Sequence, residues 1–307
     1  MISVTPSLIQ QILPPRLSSS RKGDNGIILI IGGSGTYHGA PLLSSLSALR
    51  SGVDLVYTAM PKSNVAAIRS FSPNIIVLPF PHDELTLRSA KSVLRILPKK
   101  PQVIAMGMGM KTAPDSLIRI IKEFIKNGSK LVLDASALIP EVLDSISGTN
   151  TIITPHLGEY KRMFQERQNH DKTSTARSTR DMSEEQALNV YSVAKKYGII
   201  IILKGYYNVV CDGRNTLGQQ KRIAIIKRTT PAMTVGGCGD VLSGVVAGLF
   251  SKISDGFYAS ITAVYLTGMA GNLAHQKLGL HMTATDLIEQ IPSAMKPFDK
   301  IISNSQR

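Results

Sequence analysis

The chain has 307 residues, 43% of them hydrophobic and 5% aromatic, and 35 Lys and Arg against 21 Asp and Glu give a formal net charge of +14. Such a length allows one large domain or two ordinary ones and buries roughly 75% of the unfolded surface without disulfide or metal staples. Two cysteines, Cys211 and Cys238, exclude a disulfide scaffold, and no charged, apolar export signal is seen, so a cytoplasmic protein is expected.

Short apolar runs rich in β-branched residues alternate with stretches of helical pattern. The first run, Ile27 to Ile31, leads through a Gly-rich turn to a helix predicted over Ala40 to Gly52 and a second strand over Val53 to Thr58. Further strands are predicted at Asn74 to Leu78, Gln102 to Met106, Lys130 to Leu133, Thr151 to Ile153 and Gly198 to Leu203. Runs apolar on both faces and separated by helices are what a parallel sheet covered on both sides requires, so the class is α/β. Gln165 to Arg180, with 181, is almost wholly polar and is expected to be an exposed flexible loop; a domain boundary there is less favoured because the α/β rhythm resumes.

Beyond Leu203 the pattern changes. Tyr206 to Cys211, the turn Asp212 to Asn215, and Ile223 to Ile226 predict an antiparallel edge on a mainly parallel sheet. Helical periodicity returns at Gly239 to Ser251 and Phe257 to Lys277, and a last short helix is expected near Thr283, where Thr283 and Asp286 are capping residues. Phe257 to Ala274 is uncharged and as long as a short membrane span, but Ser260, Thr262, Thr267, Asn272 and two glycines mark it as a helix buried against a sheet. One domain over residues 1–307 is expected.

The basic residues fall in scattered pairs, such as Lys161-Arg162 and Lys227-Arg228, with no dense tail and no Trp. That argues against nucleic acid and marks most of the pairs as solvated surface, although folding could gather them onto one face.

The strongest local signal is Thr234 to Gly244, in which Gly236, Gly237 and Gly239 precede a helical pattern. These glycines let a ligand approach the backbone, and the unpaired amides of the following helix form an anion hole over Gly236, Gly237, Cys238 and Gly239. A carboxylate there repels an anion unless it takes a proton from an attacking hydroxyl, so Asp240 reads as a catalytic base; the alternative is a helix cap. Gly32 to Gly35 with Gly39, and Gly107 with Gly109, follow other strands and lack the dinucleotide and P-loop spacings. Ligands bind beyond the carboxyl ends of parallel strands, where all these turns lie, which points to a shared cleft.

His156 and Glu159 in Thr154 to Glu159 are either ligand contacts or part of a helix start with Thr154 as cap and Pro155 first. Lys204 with Gly205 is either a phosphate contact or a surface lysine. No metal-ligand spacing is present among the six histidines, and Cys238 supplies a small side chain rather than a nucleophile.

Taken in order, Gly32 to Gly35 with Gly39-Ala40, Ala48 to Gly52, Gly107 to Gly109, Leu133 to Ala135, Thr154 to Glu159, Leu203 to Gly205 and Ala232 to Gly244 resemble the NAD(P)H-hydrate dehydratases of the ribokinase-like superfamily. The resemblance covers about Gly26 to Ile291. It implies a ribokinase-like fold and a single-domain form without the epimerase domain that many members carry. Repair of hydrated nicotinamide nucleotides, (S)-NADHX and NADPHX, is implied, by phosphorylation of the ring hydroxyl and loss of phosphate. It also implies Mg²⁺, with ADP expected over ATP as phosphoryl donor. Ala40, Gly109, His156 and Asp240 would contact the hydrated cofactor, and Lys204, Gly205, Tyr206, Tyr207, Asn208 and Gly239 the adenine nucleotide. A homo-oligomer is expected, and a separate epimerase in the same pathway. Three departures bear on nucleotide choice: Lys227 to Pro231 in place of an Asn- and Gly-rich stretch, Cys238 in place of Ser or Thr, and Asn208 where Thr is more common. Two alternatives stand beside this reading: a kinase of the same fold acting on a vitamin-precursor hydroxyl, and a non-enzymatic nucleotide or nucleic-acid binder.

Overall fold

The computed structural model describes residues 1–164, 184–214 and 221–303, so the predicted polar loop at 165–181 lies outside the described residues. Its strands in chain order are β1 (Arg16–Leu17), β2 (Ile27–Ile31), β3 (Leu55–Pro61), β4 (Ile76–Phe80), β5 (Val103–Met106), β6 (Lys130–Leu133), β7 (Thr151–Ile153), β8 (Ile200–Leu203), β9 (Tyr207–Asp212), β10 (Arg222–Lys227) and β11 (Ile301–Ile302). Its α-helices are α1 (Pro6–Ile12), α2 (Gly39–Arg50), α3 (Val65–Phe71), α4 (Leu87–Ile96), α5 (Pro114–Lys126), α6 (Leu143–Ile146), α7 (Leu157–Phe164), α8 (Glu184–Tyr197), α9 (Cys238–Lys252), α10 (Gly256–Leu278) and α11 (Ala284–Met295).

Among the described residues nine strands form one sheet in the order β10-β9-β8-β7-β6-β5-β2-β3-β4. From β8 through β4 all neighbours run parallel, while β9 pairs antiparallel with both β8 and β10, as expected for the edge. Alternation within one strand splits the core. Ile28 and Ile30 of β2 face a core shared with Val245 of α9 and Ile261 of α10, whereas Ile27, Leu29 and Ile31 face a core shared with Leu117 of α5 and Val190 of α8. Burial on both faces is why these strands read as unbroken apolar runs.

Strand ends differ from expectation in instructive ways. The second strand starts at Leu55 rather than Val53, because Asp54 accepts backbone N–H bonds from Gly23 and Asn25 and holds the chain in a turn. The third reaches Phe80 rather than Leu78, passing through Pro79; β4 is the outer strand, where a missing donor is tolerated. Most of the connection after β9, residues 215–220, lies outside the described residues, and β9 starts at Tyr207 rather than Tyr206. The last helix is twelve residues long and opens on the predicted Thr283 and Asp286 capping box. No helix among the described residues is long and apolar enough to cross a membrane.

Two relationships position the site. The strand order reverses between β2 and β5, and Gly32 and Gly107 leave those two strands side by side, so a crevice opens at their carboxyl ends. Helix α9 lies closely on α2 because Gly244 and Gly248 face Ser44, Ser47 and Ser51; a side chain at Gly244 would overlap the Ser44 carbonyl and the Ser47 hydroxyl. That contact fixes the amino end of α9 over the sheet.

Candidate functional site

The turn into α9 is made by Gly237, whose φ of +92° belongs to the left-handed region that favours glycine. A side chain there would also press on Leu43 and Ala284, at 2.6 and 2.9 Å. The first turn of α9 then leaves amides without intrahelical partners: those of Gly239 and Asp240 have no backbone partner among the described residues, while the Cys238 amide reaches the Val235 carbonyl at 3.4 Å. This end of the helix borders a cavity of about 390 Å³ lined by Gly236, Gly237, Cys238 and Gly239 together with His156, Lys204, Gly205 and Asn208. Three segments separated widely in sequence thus share one wall.

Lys204 directly follows β8, and its ammonium donates to Asp134 Oδ1 at 2.8 Å. Asp134, which follows β6 and is 2% exposed, also accepts from the Ser243 hydroxyl of α9 at 2.5 Å. Burial alone would lower the pKa of Lys204, but the charges of Asp134 and Glu159, the hydrogen bond to Asp134 and the charge of Asp240 raise it above the usual lysine value. The ammonium therefore stays charged beside Gly239, where an added methyl would lie 3.3 Å from Nζ.

Asp240 is the third residue of α9, and among the described residues its carboxylate makes no hydrogen bond; only its backbone carbonyl is held, by the Ser44 hydroxyl at 2.9 Å. It is no helix cap. Burial raises its pKa first, then the charge of Asp134, against the opposing pull of Lys204 and with a smaller push from Glu159, to about 7. A half-protonated carboxylate near neutrality suits proton transfer.

His156 precedes α7. Its Nδ1 accepts from the amides of Gly158 at 2.9 Å and Glu159 at 3.3 Å, while Glu159 accepts from the His156 amide at 2.8 Å. The helix thus starts two residues later than Pro155, and His156 rather than Thr154 is its cap. With Nδ1 accepting, the hydrogen sits on Nε2, and the ring is 60% exposed at the cavity wall.

Gly109, with φ of +63°, and Ala40 at the start of α2 adjoin one another and Tyr37; both stand outside the lining of the cavity at α9. Tyr206 and Tyr207 are outside it too, their rings meeting edge to face at 5.0 Å. Asn208 instead turns inward, accepting from the Gly205 amide at 3.3 Å and so pinning the Lys204-Gly205 turn. Cys238 is buried with its thiol pushed up to about 11, burial outweighing the lowering effect of Arg228, so it is no nucleophile near neutrality.

Sequence reading missed Asp134, Ser243 and Arg228. Asp134 carried a signal, a carboxylate directly after a parallel strand. Among the described residues no three His, Cys, Asp or Glu form a metal cage. The hard carboxylate oxygens of Asp134, Glu159 and Asp240 all act on Lys204, however, and Asp134 is already taken by Lys204 and Ser243. This donor set fits Mg²⁺ carried mainly by phosphates and water with one or two carboxylates.

Comparison with known proteins places the chain in a family. A family model described as NAD(P)H-hydrate dehydratase matches residues 28–293. An ADP-dependent (S)-NAD(P)H-hydrate dehydratase of Nitrosopumilus maritimus is 44% identical over 98% of this chain and 99% of its own, and that of Cenarchaeum symbiosum is 42% identical over 95% and 96%. The chain also covers 53% of a bifunctional NAD(P)H-hydrate repair enzyme of Pyrobaculum aerophilum at 36% identity. The ADP/ATP-dependent NAD(P)H-hydrate dehydratase of Bacillus subtilis, co-crystallised with ATP and Mg²⁺, shares the fold at a TM-score of 0.76 and 23% identity, over 96% of this chain and 98% of that one.

Proposed function

The chain belongs to the NAD(P)H-hydrate dehydratase family, and from that premise we propose that Asp240 is the general base of an ADP-dependent dehydration at the amino end of α9. The activity is repair of hydrated NADH and NADPH, a lyase reaction. The observation that carries the residue assignment is the unpartnered, partly buried carboxylate of Asp240 at a helix amino end beside Lys204.

Hydroxide leaves a carbon slowly, and phosphorylation turns the ring hydroxyl into a good leaving group. Asp240 accepts the hydroxyl proton as the oxygen attacks the terminal phosphorus of ADP, and the bond to AMP breaks. The carbon–oxygen bond then breaks with its electron pair leaving on phosphate, and the ring gives up a proton as its double bond returns. Overall, hydrate and ADP become NAD(P)H, AMP and phosphate. The amides over Gly236 to Gly239 stabilise charge on the transferring phosphoryl group, and Lys204, Gly205 and Asn208 hold the nucleotide, with Tyr206 and Tyr207 flanking that turn. Ala40, Gly109 and the Nε2–H of His156 orient the hydrated ring toward Asp240. Mg²⁺, when bound, would neutralise phosphate charge, held by the phosphates and water with Glu159 as the carboxylate left to reach it.

We place this reaction in the cytoplasm, in keeping with two free cysteines, and in a homo-oligomer. A separate epimerase would interconvert the two hydrate epimers, because a longer relative is bifunctional. The test is to incubate hydrated NADH with the protein, Mg²⁺ and ADP or ATP, following NADH absorbance and free phosphate. Recovery of both is expected with ADP. A hydroxyl kinase would accumulate phosphorylated ring instead, and no recovery with either nucleotide rejects the reading.

A further inference from the structure

The pair Lys227-Arg228 occupies the stretch where the chain departs from its family's Asn- and Gly-rich pattern, and both residues line the cavity at α9. Their surroundings differ. The Lys227 ammonium lies 5.3 Å over the ring of Tyr206 and is held by its hydroxyl. Among the described residues Arg228 is anchored through its backbone amide alone, which donates to the Tyr206 carbonyl at 2.7 Å. Its Nε is buried without a hydrogen-bond partner, and among the described residues no carboxylate pairs with its guanidinium. Lys204, another half-buried cation of the cavity wall, is answered by Asp134.

Arg228 is also near enough to Cys238 to favour its thiolate. Arg228 therefore shares a cavity wall with the first turn of α9, whose free amides carry positive charge of their own. Both features border one cavity, and the carboxylates of Asp134, Glu159 and Asp240 act on Lys204 while none pairs with the guanidinium, which leaves Arg228 open to an anion of outside origin. A planar guanidinium matches phosphate with two parallel hydrogen bonds, which an ammonium does not. We propose that Arg228 clasps the phosphate chain of the adenine nucleotide against Gly237 to Gly239, and so is a further catalytic residue, an inference that rests on the function proposed above.

The test uses the full chain and its Arg228→Gln and Arg228→Lys variants, with thermal melting to follow folding. Titration calorimetry with Mg²⁺ and ADP measures binding apart from turnover. Arg228→Gln is expected to weaken ADP binding about tenfold and to lower kcat by roughly 10²- to 10³-fold, the effect of losing one preorganised donor to a transferring group. Arg228→Lys, which keeps charge and bulk, is expected to recover affinity but not kcat, and it decides the matter if Arg228→Gln melts early. Wild-type affinity and kcat in Arg228→Lys, together with wild-type affinity in a folded Arg228→Gln, would overturn the inference while the repair reaction stands. If the wild type regenerates no NADH yet binds ADP, and Arg228→Gln loses that binding, the repair reaction fails and the phosphate contact survives.

Discussion

Lys204 directly after β8 and Asp134 directly after β6 meet at 2.8 Å beneath the amino end of α9, with Asp134 2% exposed. Asp134→Asn leaves the lysine without its nearest counter-charge while sparing the bond from Ser243. Breaking a buried pair on one side costs about 3 kcal/mol or more, so urea unfolding of the variant should show a loss of that size. The Asp134 charge also holds the pKa of Asp240 up, so the acid limb of the pH profile should move to lower pH. An unchanged limb would mean that the two carboxylates do not share one field.

The acid limb itself follows from Asp240. A base works deprotonated, and its pKa is raised to about 7, by burial and then by Asp134. Below that pH the carboxyl is protonated, so kcat/KM should fall tenfold per unit as pH drops from about 7. Asp240→Asn should lose roughly 10²- to 10⁴-fold in kcat with ADP affinity kept, since removing a negative charge does not hinder an anion. Measuring kcat/KM from pH 5 to 9, with calorimetry on the variant, checks both; substantial residual turnover removes the base role.

Much of this was legible in the chain, for identifiable reasons. Strands such as Ile27–Ile31 and Thr151–Ile153 are buried on both faces, so their ends coincide with the ends of apolar runs. Where a side chain fixed a turn, as Asp54 does, or an outer strand tolerated Pro79, composition alone misplaced the boundary. The glycines before α9 announced a helix amino end because few other residues adopt the backbone of Gly237. The bond from Lys204 to Asp134 joins residues 70 apart, and no local pattern encodes it. Nor does spacing show that Arg228 lacks a counter-ion, since that depends on what the sheet brings beside it.

The seat of α9 on α2 is itself testable through Gly244. A methyl there would overlap Ser44 and Ser47, forcing apart the helices whose contact lets the Ser44 hydroxyl hold the Asp240 carbonyl at 2.9 Å. Gly244→Ala should destabilise by about 1–3 kcal/mol, the usual cost of overpacking, despite the better helix propensity of Ala. Because Asp240 moves with the helix, kcat should fall more than nucleotide affinity does. Thermal melting with steady-state kinetics separates the two; wild-type stability and kcat together would show that the contact does not position the base.

His156 combines a structural task and a proposed functional one, which two substitutions separate. Its Nδ1 caps α7 by accepting from Gly158 and Glu159, while its Nε2–H, 3.6 Å from Glu159 Oε1, is the donor proposed to reach the hydrated ring. His156→Ala removes both and should cost about 1 kcal/mol of stability, as loss of a cap does. His156→Asn restores an accepting side chain at the cap, so melting should return close to wild type. Asparagine is shorter than the imidazole, however, and does not place a donor where Nε2 lies. KM for hydrated NADH should therefore stay raised roughly tenfold, the size of one lost hydrogen bond, in both variants. If His156→Asn recovers stability and KM alike, His156 only starts the helix, and the ring is oriented from the Ala40 and Gly109 side.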